Sequence, residues 1–205
     1  MHLRISTTIA VLAALGIVAS QAASAQTTTT APSTSADNWR MPYQSGFWGH
    51  AGASFGQSKL RLGCPSGASC DSNDTAWRLF AGGRFNNAFG LELGVVNYGK
   101  FGRGGGDTEG WGLDIPVLLG FPIGRNSSIF AKAGINYSRM EVSGTPGLVQ
   151  AGKESGWGPR FGLGAQIGLT PQWAIRGDWD TYRVRFPGER DRIDTLTVGA
   201  QYNFH

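Results

Sequence analysis

Nine ionisable residues fall on one parity of alternating segments: Arg78, Arg84, Glu92, Asp114, Lys132, Arg160, Arg176, Asp178 and Asp180. The stretch WAIRGDWDTY (173–182) shows the pattern most plainly, with Arg176, Asp178 and Asp180 alternating with Trp173, Ile175, Gly177 and Trp179. In a strand the two parities face opposite sides of a sheet, so the charges would share one face. Five are basic and four acidic. If that face is enclosed, isolated charges cost several kcal/mol each and must pair. The chemistry expected of them is therefore a salt-bridge and water network that fills an interior.

Catalytic and metal chemistry find less support. His50 and Ser54 lie four apart on one parity, which along a strand separates them by about 13 Å, too far for a base to reach a nucleophile. His50 is expected to be structural, and no catalytic residue is assigned. Cys64 and Cys70 bracket a turn-forming Pro65 and Gly67. In an exported chain such a close pair is expected to form a disulfide, and with no His or further Cys nearby no metal site is assigned. GRGGGD (102–107) lacks the Lys-Ser/Thr of a phosphate loop, and no cofactor is expected. The segment RVRFPGERDR (183–192) carries four arginines against Glu189 and Asp191. Guanidinium groups there match the phosphates of an anionic partner, and a solvated loop with local ion pairs is the alternative. The net charge of +4 comes from scattered Lys and Arg, which argues against a nucleic-acid partner.

The elements that position these residues read as strands. Residues 1–25 have a basic start at Arg4, an apolar run IAVLAALGIVA and the small-residue stretch ASA at 23–25, the layout of a secretory signal peptide. Residues 26–45 are rich in Thr, Ser and Pro and read as a flexible leader. Residues 46–205 form one domain, and 16% charged residues in the whole chain compares with roughly 25% in soluble domains. Eight alternating segments recur, at 46–60, 75–85, 89–99, 109–121, 128–142, 155–169, 173–184 and 192–204. Short connections (86–88, 122–127, 170–172) alternate with longer ones (61–74, 100–108, 143–154, 185–191). That sorting suits an eight-stranded antiparallel up-and-down transmembrane β-barrel, with tight turns at one end and loops at the other.

Parity alone leaves a soluble barrel open, and the aromatics decide against it. One end collects Phe47, Trp48, Phe85, Phe89, Phe121, Trp173, Tyr202 and Phe204. The other collects Phe55, Trp77, Tyr98, Trp111, Tyr137, Trp157 and Trp179. Two aromatic girdles flanking an aliphatic band match the two interfaces of a bilayer.

The segments GASFGQSKL, RFNNAFGLELGVVNYGK, GLDIPVLLGFPI, FAKAGINYSR, GLGAQIGLTPQWAIRGDWDTYR and DTLTVGAQYNF resemble, over residues 46–205, the outer-membrane β-barrels similar to the transmembrane domain of OmpA. The resemblance implies periplasmic termini, surface loops, a place in the outer membrane of a Gram-negative bacterium, and contact with its lipid and lipopolysaccharide. Only His205 follows Phe204, so the chain resembles the barrel-only branch. A terminal strand ending in an aromatic resembles the signal read by the outer-membrane assembly machinery, with His205 a departure from it. A structural or surface-interaction role for a monomer is expected, with a host or surface ligand taken through the loops. The alternatives are a low-conductance gated channel of the kind some relatives show, with Glu92, Lys132 and Arg176 as its central switch, and, less favoured, a lipid-modifying enzyme.

Overall fold

The computed structural model describes residues 48–61, 70–86, 88–103, 106–143, 151–186 and 189–204. They form eight long strands: β1 (Trp48–Leu60), β2 (Asn73–Arg84), β3 (Phe89–Arg103), β4 (Gly106–Pro122), β5 (Ser127–Ser143), β6 (Gly152–Gly168), β7 (Trp173–Phe186) and β8 (Glu189–Phe204). Each pairs antiparallel with its sequence neighbour, and β1 pairs with β8 from Gly49–Phe204 to Leu60–Ile193, closing the sheet on itself. This is the eight-stranded up-and-down barrel the alternation predicts. Closure leaves no long strand with an open edge.

Local chemistry explains the tight turns. Asn86 Oδ1 accepts hydrogen bonds from the backbone N–H groups of Ala88 (2.8 Å) and Phe89 (2.7 Å), and Thr170 Oγ1 accepts one from Trp173 N–H at 2.9 Å. Side-chain acceptors thus satisfy donors that the ladder cannot reach.

Burial is inverted relative to a water-soluble fold. Arg78, Arg160 and Arg176 are at most 1% exposed, whereas Leu93 and Leu163 are 57% exposed and Val198 61%. This inversion holds only part of the way along the strands. Towards the long-connection end, β5 turns Met140 and Val142 inward and leaves Arg139 exposed, while β7 turns Val184 and Phe186 inward and leaves Arg183 exposed. With Leu60, Val96, Tyr98, Phe101, Tyr182 and Ile193 these inward residues make a compact apolar cluster. The pattern there is that of a protein in water.

That change of pattern corrects the expected boundaries. Segments 100–108 and 185–191, read as loops from their polar content, are largely strand: β3 and β4 stay paired as far as Arg103–Gly106, and β7 and β8 as far as Phe186–Glu189. The inward apolar side chains give the hairpins a core of their own and so hold them together. A bulge between Asn97 and Gly99 shifts the register of β3 against β4, with Gly99 at φ 85° and its N–H bonded to Asn97 Oδ1 at 2.9 Å. A side chain at that φ is strained, which is why glycine stands there. The bulge changes the inward parity, so that Phe101 follows Tyr98 into the interior.

Two aromatics expected in the girdles face inward instead. Tyr98 precedes the bulge and keeps the parity of Glu92, and Trp48 shares the parity of His50; both are buried. Cys70 opens a two-residue strand, Cys70–Asp71, paired with Arg103 and Gly102. Cys64 and the expected disulfide lie outside the described residues, as does Phe47.

Leu93 stands on the outward face midway between Phe89 and the level of Trp77 and Trp111, which flank Asn97 in register. Leu93→Arg is expected to destabilise the barrel by roughly 2–4 kcal/mol, the cost of a cation at the centre of a bilayer. The exposed Arg139→Leu should change stability by less than about 0.5 kcal/mol. Equilibrium urea unfolding in phospholipid vesicles measures both.

Candidate functional site: a closed ring of ion pairs in the lumen

The interior charges converge on one constellation. Glu92 pairs with Arg78 (3.3 Å), Arg78 with Asp114 (2.8 Å), and Asp114 with Arg160 (2.7 Å). Arg160 pairs with Asp180, Asp180 with Lys132 (2.6 Å), Lys132 with Asp178 (2.8 Å), and Asp178 with Arg176 (2.9 Å). Arg176 returns to Glu92 through two contacts, one of them between Nη2 and Oε2 at 3.1 Å. Four cations and four anions therefore alternate in a closed ring, and each is bonded to a neighbour on either side. Strands β2 to β7 supply these eight residues. β1 adds His50, whose Nε2 lies 2.9 Å from Glu92 Oε1, and β8 adds Gln201, whose Oε1 accepts from Arg176 at 3.1 Å. Every strand thus contributes to one polar network.

Two lumenal glycines make room for it. A Cβ on Gly94 would stand 2.7 Å from both Arg78 Nη2 and Asp114 Oδ1, and one on Gly162 would stand 2.0 Å from Asp180 Oδ1. Small residues at these inward positions are a steric requirement of the ring.

Aromatic rings bound the constellation on both sides. Towards the tight turns, the Arg176 guanidinium lies between Phe80 (4.4 Å to the centroid) and Phe130 (4.5 Å), an arrangement favoured by the negative ring faces. Arg84 lies beyond them, 5.5 Å from the Trp48 ring and 5.6 Å from Phe130. Towards the other end, Tyr98 and Tyr182 meet edge to face at 5.2 Å, Arg160 stacks over Tyr182 at 4.8 Å, and the Tyr182 hydroxyl donates to Asp114 at 3.4 Å. Above the tyrosines sits the apolar cluster.

The structure thus brings eight of the nine charges into the ring and leaves Arg84 among aromatics. It also divides the residues expected to form a switch. Glu92 joins Arg176, but Lys132 bonds Asp178 and Asp180 on the far side of the ring. The interior also holds Phe80, Phe130, Tyr98 and Tyr182, which charge does not mark but which share the parity of Arg78, Lys132, Glu92 and Asp180.

Outside, Phe85, Phe89, Phe121, Trp173, Tyr202 and Phe204 lie exposed near the tight turns, with Trp173 and Tyr202 edge to face at 5.1 Å. Trp111, Trp157 and Trp179 lie exposed on the outward face, while Trp77 and Tyr137 are half-buried, Tyr137 packing against Trp157 at 5.3 Å.

A closed barrel with an apolar exterior, aromatic margins and an ion-paired interior is the architecture of a transmembrane β-barrel. Residues 10–204 match the family model described as the outer membrane protein beta-barrel domain, and the chain belongs to that family. It is 26% identical over 138 residues to outer membrane protein A of Yersinia pseudotuberculosis serotype I (strain IP32953), a match covering 61% of this chain and 38% of that protein. The chain therefore spans less than two-fifths of the length of that curated relative. In fold it is similar to Ail, the attachment invasion locus protein of Yersinia pestis (18% identity, 78% of this chain and 100% of that one, TM-score 0.54). It is likewise similar to Neisserial surface protein A (16% identity, 77% and 97%, TM-score 0.57).

Each anion of the ring bridges two cations, so removing one takes a carboxylate partner from both. Asp114→Ala leaves the buried Arg78 and Arg160 with one carboxylate partner fewer, and a loss of about 3–5 kcal/mol is expected. Unfolding in vesicles, followed by tryptophan emission, measures it.

Proposed function

We propose that this protein is a non-catalytic outer-membrane barrel whose lumen is plugged and whose outer hairpins present a surface for interaction. The observation that carries the reading is the closed, neutral ring: four cations and four anions are each held by two partners, with aromatic rings on either side and an apolar cluster above. An eight-stranded barrel encloses little more than its own side chains. Charge spent on internal pairing leaves no net field to draw an ion through. Residues 1–25 serve as the export signal, residues 26–45 as a leader, and the C-terminal strand as the segment handed to the assembly machinery. The folded barrel acts as a monomer in the outer-membrane lipid of a Gram-negative bacterium, and ligands are met through the hairpins on the long-connection side.

The narrow-channel reading makes the opposite expectation in one experiment. In planar bilayers the wild-type protein and Glu92→Ala should both give a flat baseline without unitary steps. Reproducible steps of fixed amplitude from wild type, altered by Glu92→Ala, would remove the plug. Replacing residues 144–150 with a short Gly-Ser linker should abolish adhesion to host cells or matrix while the heat-modifiable mobility of the barrel on gels persists.

A further inference from the structure

The two halves of the lumen differ in what their walls offer. Towards the tight turns the inward positions are largely polar, with His50, Ser128, Gln166, Gln201 and Asn203 all buried. Trp48 Nε1, His50 Nδ1 and Ser128 Oγ are buried there without a hydrogen-bond partner among the described residues. Ser54 Oγ and Thr197 Oγ1 share that condition at the level of the ion ring, where Ser54 stands opposite Arg78 and Thr197 opposite Asp178. So does Ser138 Oγ, two positions short of Met140 and the apolar cluster. Buried polar atoms are nearly always satisfied by protein or by ordered water, so this wall calls for water from the tight turns to the foot of the cluster.

Beyond the ring the wall reverses. Tyr182, Val184 and Phe186 turn inward from β7 over about 13 Å of strand. β3 and β7 stand four strands apart in the closed sheet of eight long strands, on opposite walls, yet Tyr98 of the one meets Tyr182 of the other at 5.2 Å. Two aromatic rings thus span the lumen. Their surroundings are close-packed: a Cβ at Gly110 would overlap Met140 Sδ, and one at Gly112 would stand 2.6 Å from the Tyr98 hydroxyl.

We propose that the lumen is a half-channel, in which water and small ions reach the ion ring from the tight-turn mouth and are stopped by the apolar cluster around Tyr98 and Tyr182. The inference rests on the plugged-barrel reading and locates its seal. A charged ring is a poor barrier by itself, because its groups can exchange partners and offer hydrogen bonds in place of an ion's hydration. An apolar stretch offers none, and a hydrophobic constriction excludes ions by shedding water. The seal therefore survives the loss of one ring carboxylate.

Thiol labelling of the full-length folded protein in detergent, in a background carrying Cys64→Ser and Cys70→Ser, reads the wetness of each level with a small cationic methanethiosulfonate. Ser54→Cys and Ser128→Cys should react readily, and Val184→Cys, inside the seal, roughly a hundredfold more slowly. Planar-bilayer recording supplies the second arm: the double variant Tyr98→Ala, Tyr182→Ala should show unitary current steps. Labelling at Val184→Cys as fast as at Ser128→Cys would overturn the proposal, as would labelling of Ser54→Cys and Ser128→Cys as slow as that of Val184→Cys. A flat baseline from the folded double variant would overturn it too. If that variant lacks heat-modifiable mobility, the three single cysteines decide alone. Steps from wild type would instead remove the plugged-barrel reading, so the two failures are told apart.

Discussion

Hydrocarbon offers a peptide group no hydrogen bond, and most of the structure follows from that. A strand in a bilayer must find a partner on both edges, so the sheet closes. Once closed, its outward parity meets lipid and its inward parity meets only itself. The apolar residues of β3, β4 and β6 therefore stand exposed, while arginines are buried more completely than any leucine of the outer face. In water the same alternation would be read with its faces exchanged.

The interior then poses an electrostatic problem with few solutions. A single buried pair rarely recovers its desolvation cost, whereas a network in which every group is multiply bonded does so more readily. The ring meets that condition by alternation: each carboxylate answers two cations and each cation two carboxylates. Because its members come from six strands, and His50 and Gln201 tie in the other two, the network also fixes the relative register of the whole barrel. Phe80 and Phe130 flank the guanidinium groups from one side, so burial and charge support each other rather than compete.

Beyond the outer girdle the solvent outside changes back to water, and the strands respond within a few residues. Outward positions become charged, as at Arg139, Glu141 and Arg183, and inward ones become apolar, as at Met140, Val142 and Val184. One continuous strand thus carries two opposite binary patterns. The barrel extends past the membrane as paired hairpins, β7 and β8 staying in register as far as Phe186–Glu189.

The sequence by itself determined the class of fold and the number of long strands, because side-chain alternation in a strand is strictly local, and the aromatic margins told which parity meets lipid across the membrane-level part of the barrel. It also fixed which charges share the interior, since parity places Arg78, Glu92 and Asp178 on one face whatever their partners. Who pairs with whom was decided only by closure. Arg176 meets Glu92 from 84 positions away, and Lys132 joins Asp178 and Asp180 rather than Glu92, because partner choice depends on register around a ring and not on distance along a chain. The hairpin extensions were illegible for a related reason. Segments such as RVRFPGERDR look like loops by polarity, and only the apolar cluster that Val184 and Phe186 join across the lumen makes them strands. The bulge at Gly99 likewise moved Phe101 inward by a conformational step that no periodicity records.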